Sequence, residues 1–186
     1  METDDELLVR SAAGEARAFE PLVGRHATAL HGYFARRAPG AADDLLAEAW
    51  LQAFTARGTY DPARGTARAW LFGVARNVLA AHWRGEARQR REVRADEPSS
   101  DPWYAVDRRL DAAAVAPLIR ETMAELPHVE RELMLLVAWE QLSPTEAAAV
   151  VGIPAGTARS RLHRARARLR AALAPSGTLP LTGDLT

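Results

Sequence analysis

Six arginines, Arg159, Arg161, Arg164, Arg166, Arg168 and Arg170, fall within residues 155–174, a stretch that holds no acidic residue. Guanidinium groups repeated along one helix can hold phosphates or read guanine edges, and the amide end of such a helix favours anions. Upstream, Ser143 and Glu146 have the spacing of a capping box, and Gly152 is suited to a left-handed helix end. The segment SPTEAAAVVGIPAGTARSRLHRARARLR (143–170) therefore reads as a helix-turn-helix. Ala147 and Ala148 let its two helices approach closely, and Val150, Val151 and Ile153 fill the angle between them. Thr157, Arg159, Ser160, Arg161 and Arg164 are the set presented to a DNA groove. The residue types alone leave open which of them read bases and which hold phosphates. A helical hairpin with a solvated arginine face is the competing reading. The lack of any acid weighs against it, because exposed helices usually mix signs.

No comparable set supports covalent chemistry. The chain of 186 residues has no Cys, which removes disulfides, thiolate nucleophiles and Cys-based zinc sites. The five His are scattered without an HExxH-type pair. His163 reads as a surface or phosphate-side residue rather than a metal ligand. No acid, base and nucleophile converge, so neither an enzyme nor a metal or cofactor is expected. The start, METDDELLVR, lacks the apolar core of a signal peptide, and no apolar run nears the ~20 residues of a bilayer span. A cytoplasmic protein without membrane insertion is expected.

The formal net charge is zero, yet the charges are segregated. Residues 1–58 sum to −3, 59–94 to +5, 95–154 to −7 and 155–174 to +6. Two basic blocks, each at the end of a helical unit, suggest two contacts with a polyanion.

The elements that must position these blocks are helical throughout, since no period-2 run of β-branched residues occurs. Helices are expected over about 4–13, 18–37, 41–57, 66–94, 113–125, 127–140, 143–152 and 154–174. Pro117 allows the fifth only if it sits in the first turn. Phe19, Leu22, Val23, Leu30, Tyr33 and Phe34 supply the stripe of the second helix, which Pro39-Gly40 ends. Residues 58–66 form a turn-rich loop, with Thr66 capping the helix that follows. That helix carries Trp70, Leu71, Val74, Ala75 and Val78 toward a core. ADEPSSDP (95–102) has the composition of a linker. The fold class is all-α: two small helical domains joined by a flexible linker, the second a helix-turn-helix. The boundaries fall at 1–94, linker 95–112, 113–174, and a mobile tail 175–186.

The segment GTARSRLHRARARLR, preceded by ELPHVERELMLLVAWEQLSPTEAAAVVGI, resembles the C-terminal promoter-binding domain of bacterial extracytoplasmic-function (ECF) sigma factors. FEPLVGRH (19–26), ADDLLAEAWLQAF (42–54) and ARAWLFGVARNVLAAHWR (67–84) resemble successive parts of the first domain of the same family. The likeness covers about residues 5–174. It implies a transcription initiation factor that binds core RNA polymerase, directs it to a promoter and helps open the duplex.

By that resemblance the acidic segment 42–54 is the main polymerase-binding helix. Asp44 and Glu48, one turn apart, share a face with Asp43 and Gln52 at its margins, and Leu46, Trp50 and Phe54 turn toward the core. Ala47 departs from the longer polar residue frequent in the family. The loop and the helix after it correspond to the part that engages the minus-ten element. Tyr60, Asp61 and Arg64, with Gly65 and Thr66, supply walls and hydrogen bonds for an unstacked base. Arg76 and Asn77 are assigned base and backbone contact, and Arg84 and Arg88 phosphate contact. Trp70 is assigned to the core, Trp83 is left between core and surface, and Ala81 stands where relatives carry a carboxylate. The helix-turn-helix residues above would take the minus-thirty-five element. The implied partners are core RNA polymerase, promoter DNA and an anti-sigma factor. A helix-turn-helix regulator that acts without polymerase is the alternative, but it leaves the first domain's motifs unused.

Overall fold

The first helix is set by a reciprocal cap. In the structure, a computed structural model that describes residues 2–93 and 116–174, the Glu6 amide donates to Thr3 Oγ1 at 3.2 Å and the Thr3 amide donates to Glu6 Oε2 at 2.8 Å. Helix α1 (Asp4–Ala12) follows, with three acids in its first turn, where the helix dipole favours them. Helix α2 (Glu20–Arg37) begins with Pro21 in the first turn and buries Leu22, Leu30, Tyr33 and Phe34. Pro39 and Gly40 sit in a short 3-10 turn that redirects the chain into α3 (Ala42–Ala56). Another 3-10 turn, Arg57–Thr59, leads to the loop before α4 (Ala67–Val93). The Ala69 amide donates to Thr66 Oγ1 at 3.2 Å, so Thr66 caps α4 as its position in the sequence implies.

The face of α3 turns by about one residue from the sequence expectation. Leu45, Ala49 and Ala53 are buried, whereas Leu46 and Trp50 are half-buried and Phe54 is exposed. Small residues at 49 and 53 let α3 lie close to its neighbours, and the bulkier side chains flank the seam. Trp50 and Phe54 meet Phe19 edge-on, with centroids 6.0 and 5.4 Å away. Trp83, left ambiguous by the sequence, packs half-buried against the core.

The second lobe holds α5 (Ala116–Glu125), α6 (His128–Ala138), α7 (Pro144–Val151) and α8 (Ala155–Leu173). Pro117 is the second described residue of α5, and the residues before Ala116 lie outside those described. Ser143 and Glu146 form the expected capping box on α7, and Gly152 ends it at φ 80°. Ala147, Ala148, Ala158, Leu162 and Ala165 are buried where α7 and α8 cross. Among the described residues there are eight α-helices and no strand, an all-α fold as expected. The linker 95–112 and the tail 175–186 lie outside the described residues.

The two lobes share a core. Tyr33, Phe34, Phe72, Val78 and Leu79 of the first belong to one apolar cluster with Leu133, Leu136, Leu142, Ala147 and Val150 of the second. Gly65 brings the loop before α4 so near α7 that a Cβ there would stand 3.4 Å from that of Ala149.

Gly152→Ala should lower stability by about 1–2 kcal/mol, because an L side chain disfavours that left-handed backbone. The measurement is a urea titration, in which the midpoint should fall with an unchanged slope.

Candidate nucleic-acid interface

Three surfaces carry the candidate residues. On α3, Asp43, Asp44 and Glu48 are exposed, and Gln52 donates to Glu48 Oε1 at 2.8 Å. Asp44, Glu48 and Gln52 follow one another at intervals of four along one face, with Asp43 at its edge. Leu51, 63% exposed, lies beside them. The sequence analysis did not single it out, and a lone exposed leucine is ordinary on a protein surface.

The second surface is the loop at residues 57–66 with α4. Asp61 Oδ1 accepts from the Ala63 amide at 2.9 Å, a local turn that leaves Asp61 and Arg64 in solvent. Tyr60 is buried, with its ring edge-on to Trp70 at 6.0 Å. Its hydroxyl donates to Asp5 Oδ1 at 2.7 Å, so it braces the loop from beneath while also lining the cleft beside it. Burial and the Asp5 carboxylate push its phenol pKa upward, and it stays neutral at physiological pH. Asn77, Arg84 and Arg88 are exposed along α4. Arg76 is not free. Its Nε donates to Glu132 Oε1 at 2.6 Å and its Nη2 to Oε2 at 3.2 Å, a two-pronged bond across the lobes. That bond raises the guanidinium pKa further.

The third surface is the start of α8. Arg159 and Ser160 are exposed, with Thr157 and Arg161 half-buried. Arg159 Nε donates to the Ala155 carbonyl at 3.3 Å and Ser160 Oγ to the Thr157 carbonyl at 2.9 Å. Arg164 reaches buried Glu130 at 3.4 Å and Arg168 reaches it at 3.7 Å. A long contact of that kind fixes the helix face weakly and leaves the guanidinium groups largely in water.

Between the second and third surfaces lies a cleft of about 610 Å³. Tyr60, Asp61, Arg64, Trp70 and Asn77 line one side, and Val150, Gly152 and Ile153 the other. The predicted minus-ten loop thus faces the turn of the helix-turn-helix across a narrow gap.

The contacts that close this gap were not anticipated. Glu140, at 4% exposure, takes Arg37 Nη1 on Oε1 at 2.9 Å and Arg36 on its other oxygen. Its carbonyl accepts from Arg68 Nη2 at 2.6 Å. Thr66 Oγ1 donates to Glu146 Oε1 at 2.9 Å, so the caps of α4 and α7 are hydrogen-bonded to each other. Burial raises the pKa of Glu146, but hydrogen bonds from Ser143 and Thr66 outweigh it and hold the group below its ordinary 4.5. The sequence marks the charged members of these pairs but not their partners: Glu132 directly precedes the apolar run 133–138 of α6, and Arg37 follows the buried Tyr33 by one turn.

Among the described residues no group of His and carboxylates could hold a metal ion, and no helix is long and apolar enough to cross a membrane.

Comparison with known proteins agrees along both lobes. Residues 16–89 match the model of sigma-70 region 2, and residues 117–169 match sigma-70 region 4. The ECF RNA polymerase sigma factor SigC of Mycobacterium tuberculosis is 35% identical over 93% of this chain and 95% of its own length. SigF of Caulobacter vibrioides is 36% identical over 86% of this chain and 87% of its own. Among solved structures, CnrH in complex with the cytosolic domain of CnrY aligns with a TM-score of 0.61 and 30% identity, over 92% of this chain and 97% of that one.

Two outcomes test the interlobe contact. Glu140→Gln should cost about 3–5 kcal/mol of closure, since it leaves Arg37 buried without its counter-charge. Small-angle scattering should then report a larger radius at unchanged helicity. Acid should also loosen the start of α7 and its bond to Thr66. A carboxylate held below its ordinary pKa despite burial, first by the Ser143 cap and then by Thr66, stabilises the folded form above about pH 4.5, and this contribution is lost as pH falls through the lowered value. Glu146→Gln should remove that step from a hydrogen-exchange profile of α7.

Proposed function

Because the chain belongs to the ECF sigma factors of bacterial RNA polymerase, we propose that it brings the core enzyme to a promoter through three surfaces. The observation that carries this reading is the presence of both family regions, in order, along one chain. The acidic face of α3, with Asp43, Asp44, Glu48 and Gln52, docks on a basic surface of the polymerase. The loop 57–66 and α4 take the minus-ten element, with Asp61, Arg64 and Asn77 at the bases and Arg84 and Arg88 on phosphates. The start of α8, through Thr157, Arg159, Ser160, Arg161 and Arg164, takes the minus-thirty-five element. Residues 1–94 and 113–174 act as the two gripping domains. The chain performs no catalysis; nucleotide addition belongs to the polymerase.

The geometry adds a requirement to this scheme. The loop before α4 lies against α7, where a Cβ at Gly65 would stand 3.4 Å from that of Ala149, and Arg76 is bonded to Glu132, which leaves no room for duplex DNA between them. The lobes must therefore part when the protein is loaded. Phosphates and the polymerase repay the lost ion pairs, and tethering lets two weak DNA contacts act together. Opening a promoter costs unstacking energy, which is partly recovered by pocketing a base beside the loop.

Both partners place the protein in the cytoplasm. An anti-sigma factor that covers these faces is proposed as a third partner. A regulator working without polymerase would use only α7 and α8 and would leave the first lobe without a role.

Asp44→Lys with Glu48→Lys should weaken binding to core polymerase by tenfold or more without loss of helicity, because the docking face changes sign. Unchanged affinity would remove α3 from the interface. Arg161→Ala or Arg164→Ala should weaken binding to the upstream element and lower the slope of log affinity against log salt by about 1 each. The primary test is run-off transcription from a genomic library with purified core enzyme, where initiation at discrete promoters is expected.

A further inference from the structure

Helix α1 has no part in the three surfaces, yet it holds the promoter-opening loop at both ends. At the near end, Arg57 Nε donates to the Ser11 carbonyl at 3.1 Å. At the far end, Asp5 Oδ1 accepts from the Tyr60 hydroxyl at 2.7 Å and from the amide of Ala67 at 2.6 Å. Ala67 is the first residue of α4 and is fully buried. Its amide is one of the donors that a helix start leaves unpaired, so Asp5 caps α4 from 62 residues away while Thr66 caps it locally.

Helix α1 is itself firmly seated. Leu7 and Leu8 are buried in the cluster with Phe19, Leu22, Tyr60 and Leu71. Asp4 accepts from Arg25 Nη1 at 2.6 Å, and its other oxygen lies 2.7 Å from His26 Nε2. A carboxylate on such a rigid base can fix the groups it touches.

We propose that Asp5 is a positioning residue for promoter opening. Resting on the sigma-factor reading above, the proposal is that Asp5 sets the height of Tyr60 and the entry angle of α4, and thereby aims Asp61 and Arg64 at the base to be unstacked. Asp5 touches no DNA. Its effect should fall on the opening step and spare polymerase docking, because α3 makes none of these bonds.

The test compares Asp5→Ala and Asp5→Asn on a duplex promoter and on the same promoter with a premelted bubble, each with full-length protein and core polymerase. Asp5→Ala should slow opening of the duplex about tenfold, the order of loss that a small misplacement of reacting groups produces. It should initiate at close to the wild-type rate on the bubble and keep wild-type affinity for polymerase. Asp5→Asn, which retains an acceptor oxygen, should recover most of the loss. Opening of the duplex at the wild-type rate by Asp5→Ala would overturn the proposal, as would an equal loss on the bubble. If Asp5→Ala does not fold, Tyr60→Phe carries the test, since it keeps the ring and deletes the hydroxyl that bonds Asp5 Oδ1 and also lies 3.2 Å from the Gly65 carbonyl. It should slow the duplex alone, and a wild-type rate would overturn the role. Wild-type protein that fails to initiate on either template would instead overturn the proposed function itself.

Discussion

The buried carboxylate of Glu140 is the constraint on which the closed arrangement turns. A charge at 4% exposure, facing a guanidinium at 1% exposure, is tolerated only when each has its partner. Arg37 also lies over the Tyr33 ring at 3.9 Å and donates to the Tyr33 carbonyl at 3.1 Å, so its position is fixed from three sides. Burial of that ring pushes the Tyr33 phenol pKa up to about 12, which keeps the hydroxyl neutral beside the pair. The apolar cluster around these groups supplies attraction without direction. The ion pairs supply the register: the second lobe can shift over α2 and α4 only by breaking the bonds of Glu140 to Arg37 and of Glu132 to Arg76.

That register has a functional cost. Arg68 and Arg76 lie on the helix that the family uses at the minus-ten element, and in the closed form both are satisfied by the second lobe. Glu132 offers Arg76 two oxygens in a plane, much as a phosphate would. In the proposed function the same side chain would exchange its bond to Glu132 for one to nucleic acid. A switch of this kind needs the two bonds to be close in strength, and half-buried pairs between long side chains meet that need.

Much of the fold was legible because its punctuation is local. The capping box of α7, Gly152, Pro39-Gly40 and Thr66 each act within a few residues, and each does in the structure what its type implies. The helix-turn-helix was legible for the same reason. The seam of α3 was not, since periodicity cannot separate a stripe of Leu46, Trp50 and Phe54 from one of Leu45, Ala49 and Ala53. The choice is made by what packs opposite, where Phe19 holds the larger rings at the margin. Arg37–Glu140 and Asp5–Ala67 were out of reach because their partners lie 103 and 62 residues apart. No local pattern encodes such a pairing.

The alternation of charge along the chain has its explanation in this geometry. The acidic block 95–154 contains Glu132, Glu140 and Glu146, and all three meet the first lobe at Arg76, at Arg36 and Arg37, and at Thr66. The net charge of zero therefore conceals pairing across the lobes, in which Glu132 neutralises Arg76 and Glu140 meets Arg36 and Arg37. In the closed form the basic groups left in solvent are spread along the outer part of α4 and along α8, including Arg84, Arg88, Arg159 and Arg166. In the proposed open form Arg68 and Arg76 would lose their bonds to Glu140 and Glu132 and the field near α4 would turn more positive, which favours loading on the polymerase over binding of bulk DNA by the closed chain.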